Sequence, residues 1–133
     1  MLLLATVADH NRWRITMKYF VLLAGDGELG PWDQLTPDEQ QTVLEQFGGF
    51  DAACEEKAGV GLLGGEALEG GAMATTLRTR GGELTITDGP FAEATEQIGG
   101  YYLIEAPDLD TITGLCRSLP AYDIEIRPVV DMG

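Results

Sequence analysis

The chain predicts an α+β domain in which two helices lie on one face of an antiparallel sheet. Three observations carry that expectation. Short β-rich apolar runs alternate with stretches whose apolar residues recur at helical spacing. A Gly81-Gly82 pair between two β-rich runs marks a hairpin. Breakers then divide the 133 residues into the order β-α-β-hairpin-β-α-β. With 44% hydrophobic residues, a chain of this length forms one domain whose core needs neither disulfides nor metal. No apolar run approaches the roughly 20 residues of a membrane-spanning helix.

Residues 1–16 read as an N-terminal extension, from a mis-assigned start or else a functional arm docking on a partner subunit, because Met17 opens the first clear strand. The domain proper is placed at 17–130, with 131–133 as a tail. Met17 to Gly25 is apolar on both sides beyond Lys18, the pattern of a central strand covered on two faces. A polar loop carrying Pro31 and Trp32 runs to Leu35. Thr36-Pro37-Asp38-Glu39 then opens a helix: Thr36 caps, Pro37 takes the first helical position and Glu39 closes a capping box. Val43, Phe47, Phe50 and Cys54 follow at helical spacing, and Gly59 supplies the stop. Gly48-Gly49 inside this helix costs about 1 kcal/mol per residue against alanine. A kink, or close approach of another backbone, would account for it.

Val60 to Gly64 is the next strand, with Glu66 just beyond. Ala74 to Arg80 and Glu83 to Asp88 form the arms of the hairpin. Gly89, preceding Pro90, is expected to be extended and to cap a short helix running from Pro90 through Gln97. Tyr101 to Ala106 is a strand, and Pro107-Asp108 launches a helix with Leu109, Ile112, Leu115, Cys116 and Leu119 on its apolar side. Tyr122, Ile124 and Ile126 alternate with Asp123, Glu125 and Arg127, a strand with one buried face. This order is the ferredoxin-like βαββαβ plan with an inserted β-hairpin. Tyr19, Val21, Tyr102 and Ile104 are expected to make both faces of the central strands apolar. A second copy of the sheet is the economical cover, so a homodimer is expected.

Charge narrows the function. Eight basic against 22 acidic residues give a formal net charge of −14, and no basic patch interrupts that field. Direct binding to nucleic acid or to an anionic membrane surface is therefore not expected. Cys54 and Cys116 fall in apolar helical registers and read as buried free thiols of a reducing cytoplasm. The single histidine, His10, precedes the domain, which argues against a zinc site or a histidine base in the core. No metal or cofactor is expected.

Thr75-Thr76-Leu77-Arg78, the stretch from Thr87-Asp88-Gly89-Pro90-Phe91 through Glu93 and Glu96 to Tyr102, and Glu125-Ile126-Arg127-Pro128 resemble the YCII-related family, specifically its DGPF branch. The resemblance covers essentially all of 17–130, including Gly64-Gly65-Glu66. It implies a dimeric α/β-barrel of ferredoxin-like subunits. Family members are similar to muconolactone-type isomerases and dehalogenases, with catalysis assigned to a His–Asp pair. That pair has no counterpart here, because no histidine follows His10. Members of the branch are also associated with extracytoplasmic-function sigma factors.

Within this frame Asp88 is the first candidate. Just before a helix N-terminus its carboxylate would stay ionised, able to orient a ligand; its simpler role is to satisfy the turn. Glu93 and Glu96 share one side of the expected short helix, where they would supply a proton acceptor, Glu93 first, or bind a cation, and otherwise form a solvated acidic face. Arg78 would hold an anionic group or neutralise one of these carboxylates. Trp32, Phe91 and Tyr101, with Tyr102, would line an apolar pocket or else belong to the core or a dimer interface. Glu66 joins them through the resemblance and its place at a strand end. No Ser–His, Cys–His, P-loop or dinucleotide signature is present. The leading expectation is a small-molecule cleft near Asp88, Glu93, Arg78 and Trp32 supporting carboxylate-assisted proton transfer. The alternatives are a non-catalytic regulatory module acting with a sigma factor, and a dimer whose cleft its own side chains fill.

Overall fold

In the computed structural model, residues 16–91 and 98–132 are described. The elements in chain order are β1 (Met17–Gly25), α1 (Pro37–Glu56), β2 (Gly61–Ala67), β3 (Thr75–Arg80), β4 (Glu83–Asp88), β5 (Gly100–Ala106), α2 (Leu109–Cys116) and β6 (Asp123–Pro128). Four strands form one sheet in the order β2-β5-β1-β6, and every neighbouring pair is antiparallel. Setting the hairpin aside, this is the strand order of the ferredoxin-like plan. The mixed α+β expectation is met. β3 and β4 form a separate two-stranded sheet that packs mostly against itself.

Local chemistry explains each boundary. Thr36 Oγ1 accepts from the Glu39 amide at 3.1 Å while Glu39 Oε1 accepts from the Thr36 amide at 2.9 Å, so the capping box closes in both directions. Asp108 caps α2 in one direction only, its Oδ1 accepting from the Thr111 amide at 2.8 Å. Gly81 and Gly82 turn the hairpin with φ of 59° and 79°, the left-handed pair that a tight two-residue connection requires. α1 runs unbroken through Gly48 and Gly49, and open space surrounds both. The expected close approach of another backbone is therefore not found; the helix tolerates the glycines because Val43, Phe50 and Cys54 anchor it in the core.

Tyr19, Val21 and Leu23 of β1 and Ile104 and Ala106 of β5 meet Phe50 and Cys54 of α1 and Ile112 and Cys116 of α2, with Leu119 closing the end. Val21, Phe50, Ile104 and Ile112 are wholly buried, each contributing about 1.5–3 kcal/mol of burial. Both cysteines are buried and free.

Three expectations are corrected. Val21 pairs with Tyr102 and Tyr19 with Ile104, so these four residues share the helix-covered face rather than dividing between two. The apolar residues of the other face are Phe20, Leu22, Tyr101 and Leu103, displaced by one position, because side chains alternate with period two. Gly89 is not extended; its φ is 103°. There its amide donates to the Ala74 carbonyl and its carbonyl accepts from the Thr76 hydroxyl, both at 2.7 Å, closing the base of the hairpin. β2 continues past Gly64 to Ala67, bringing Glu66 inside the strand opposite Tyr101. The expected helix of residues 90–97 falls mostly outside the described residues.

Candidate functional site

The sequence candidates occupy separate places. Arg78 lies over the Phe91 ring, 4.8 Å from its centroid, and its guanidinium donates to the Phe91 carbonyl. That pairing ties the hairpin to the segment following it and occupies the arginine. Asp88 ends β4 opposite Thr75 and is exposed. Glu66 sits opposite Tyr101 on the sheet face away from the helices, where Phe20 stacks on Tyr101 with centroids 5.4 Å apart. Trp32 belongs to a single 3₁₀ turn before α1, its carbonyl accepting from the Gln40 side chain at 3.0 Å. Glu93 and Glu96 lie outside the described residues. The structure thus brings together Arg78 with Phe91, and Glu66 with Tyr101, with no hydrogen bond or ring contact from either pair to Trp32.

A different group of side chains borders a groove. Asp51, Leu62, Leu63, Gly64, Gly65 and Tyr102 line about 220 Å³ between the C-terminal half of α1 and strands β2 and β5. Three local features shape it. A register shift in β2 between Leu62 and Gly64 leaves Leu63 as the extra residue, half-exposed at the rim. Gly65 gives the Tyr102 ring its room: a Cβ there would stand 2.7 Å from Tyr102 Cδ1 and 2.9 Å from the Tyr101 carbonyl. Phe50 supports that ring from the core side, with centroids 4.9 Å apart. So held, the Tyr102 hydroxyl donates to Asp51 Oδ1 at 3.3 Å.

The electrostatics keep the Tyr102 hydroxyl in a defined state. Burial first, and then the Asp51 charge and its hydrogen bond, push the Tyr102 hydroxyl well above its ordinary range, so it stays protonated at neutral pH. Burial also pushes the nearby Cys54 and Cys116 thiols up to about 11, which removes both as thiolate nucleophiles. Among the described residues no three His, Cys, Asp or Glu side chains converge as a metal cage. The groove therefore offers hydrogen-bond positioning and a carboxylate acceptor against an apolar wall.

The YCII-related domain family matches residues 4–133. The chain belongs to that family. Its match begins within the segment set apart above as an N-terminal extension. A curated relative, an uncharacterised protein of Rhizobium meliloti (strain 1021), is 48% identical over 61 residues, covering 42% of this chain and 49% of that protein. The chain spans about half the length of that relative. In this YCII-related domain, no helix among the described residues is long and apolar enough to cross a membrane.

Asp51 is the residue that the sequence reading passed over. A signal for it exists: it follows Phe47 by four positions and precedes Cys54 by three, which puts a carboxylate on the apolar stripe of α1. A charged side chain in a core register asks for a partner. Here the partner is Tyr102, 51 residues away and visible only in the fold.

Proposed function

We propose that this YCII-related protein is a cytoplasmic homodimer that binds a small molecule in the groove between α1 and β2, with Asp51 and the Tyr102 hydroxyl as polar anchors. One observation carries the reading: a hydrogen-bonded Tyr102–Asp51 pair stands at the edge of an otherwise apolar groove. Where the ligand carries an acidic proton beside Asp51, that carboxylate is the group to accept it, which is carboxylate-assisted proton transfer at a different residue from Asp88 or Glu93. Asp88, Arg78 and Phe91 at the Asp88-Gly89-Pro90-Phe91 turn are kept as a second candidate site, to which Glu93 and Glu96, outside the described residues, belong by sequence alone. The same motif supports placing the chain in the DGPF branch. Dimerisation through Phe20, Leu22, Tyr101 and Leu103 would leave the groove open, because it lies on the opposite side of the sheet.

A thermal-shift screen of metabolites tests the reading. A compound at a hundred times its Kd stabilises the fold by about 2.7 kcal/mol, or roughly 10 °C for a domain of this size. That shift is expected in the wild type and should shrink strongly in Asp51→Asn and Tyr102→Phe. No compound raising the melting temperature, or a shift untouched by both substitutions, counts against it.

The alternative, a regulatory module working with an extracytoplasmic-function sigma factor, is supported by the hairpin. Leu77, Leu84 and Ile86 share one face of β3–β4 and are 57%, 55% and 64% exposed. A protein partner would use that face; the groove does not require it.

A further inference from the structure

Three features decide what kind of molecule suits the groove beside Asp51 and Tyr102. The first is charge. Among the described residues no lysine or arginine lines it, and Asp51 has no cationic partner. Glu55, one helical turn further along α1, adds a second negative group, and the chain as a whole carries −14. The second is hydrogen-bonding capacity. The side-chain donor in the groove, the Tyr102 hydroxyl, spends its proton on Asp51 Oδ1. What the two side chains have left is acceptor capacity: the other Asp51 oxygen and the lone pairs of the hydroxyl. The third is size and lining. About 220 Å³ is the volume of about seven waters, below the ~300–1,000 Å³ of pockets for larger ligands, and Leu62 and Leu63 form its apolar wall.

We infer that the groove takes a small organic amine in its protonated form, the ammonium donating to Asp51 and an apolar body lying against Leu62 and Leu63. This rests on the reading of the groove as a ligand site and adds the charge class of the ligand. An ammonium brings three donors to a site that holds surplus acceptors. A carboxylate or phosphate of the same size would meet acceptors at the polar end and repulsion from Asp51 and Glu55.

Three isosteric probes separate the cases: benzylamine, benzyl alcohol and benzoate, titrated at neutral pH into the full chain while the leucine methyl resonances are followed by NMR. Benzylamine is expected to shift Leu62 and Leu63 saturably, with a Kd at least tenfold below that of benzoate. Asp51→Asn, with its methyl dispersion showing a folded protein, should erase the advantage of the amine. Tyr102→Phe should weaken all three probes yet keep the amine ahead of benzoate, because the carboxylate remains. Benzoate or benzyl alcohol binding as tightly at the same methyls overturns the inference and leaves the groove a ligand site of another class. Saturation by benzylamine confined to other methyls also overturns it, as a response of the acidic surface. No saturable shift from any probe overturns it too; if the metabolite screen is equally silent, the ligand-site reading falls with it.

Discussion

At the scale of single residues, the site depends on groups whose neutral forms the fold protects. Cys54 and Cys116 are raised by burial from an ordinary 9.0 to about 11, and Tyr102 is raised above its ordinary 10.0. For all three, the folded chain keeps its proton to higher pH than the unfolded chain does. The native state thus binds more protons above pH 9, and stability must fall as pH rises. The contribution is fully present below pH 9, is lost from the thiols between about pH 9 and 11, and is lost from Tyr102 above pH 10. Urea melts are expected to give a constant midpoint from pH 7 to about 8.5 and a falling one thereafter. A midpoint unchanged at pH 11 would mean that these groups are solvated. Gly65 belongs to this scale as well: it is legible in the sequence as one of several glycines, but the ring it makes room for is not.

At the scale of elements, α1 combines a strong start with a weak middle. The Thr36–Glu39 capping box fixes its first turn, and Phe50 and Cys54 bury its second half, while Gly48 and Gly49 face open space. Neither glycine has a positive φ. Gly48→Ala should therefore stabilise the chain by about 0.5–1 kcal/mol, the helix-propensity gain with no steric cost. Its check is the urea midpoint at unchanged m-value. Destabilisation instead would indicate that another surface closes over these glycines. The hairpin illustrates the reverse case. Gly81-Gly82 and the flanking alternation announce it from sequence, yet its relation to the body is settled by Arg78 on Phe91 and by the bonds at Gly89. Pro90 favours an extended Gly89; the two hydrogen bonds outweigh it, and a glycine can adopt the φ of 103° they demand.

At the scale of the whole molecule, the sheet leaves Phe20, Leu22, Tyr101 and Leu103 on the face that no helix among the described residues covers. Phe20 is 36% exposed even with Tyr101 stacked on it. Wetting such a face forfeits about 25 cal/mol for each Å² of apolar surface that a partner would cover. The homodimer proposed on that ground predicts twice the chain mass by light scattering. Phe20→Glu, which sets a charge at the centre of the face, should yield a folded monomer. Net charge supplies a second readout, because two chains of −14 repel one another and salt should tighten their association. A wild-type chain that remains monomeric at high concentration and high salt overturns the dimer.

Local pattern was enough to foresee the order of elements, the capping box at Thr36, the helix start at Pro107-Asp108, the hairpin turn and the burial of both cysteines. Each depends on residues near one another along the chain, through φ preferences, capping hydrogen bonds and apolar spacing. The assembled fold alone assigns each apolar residue its strand face, since a register of one residue exchanges the two faces. It also decided that Asp51 meets Tyr102, because a contact across 51 residues follows from helix placement and the bulge in β2, neither of which a local pattern encodes.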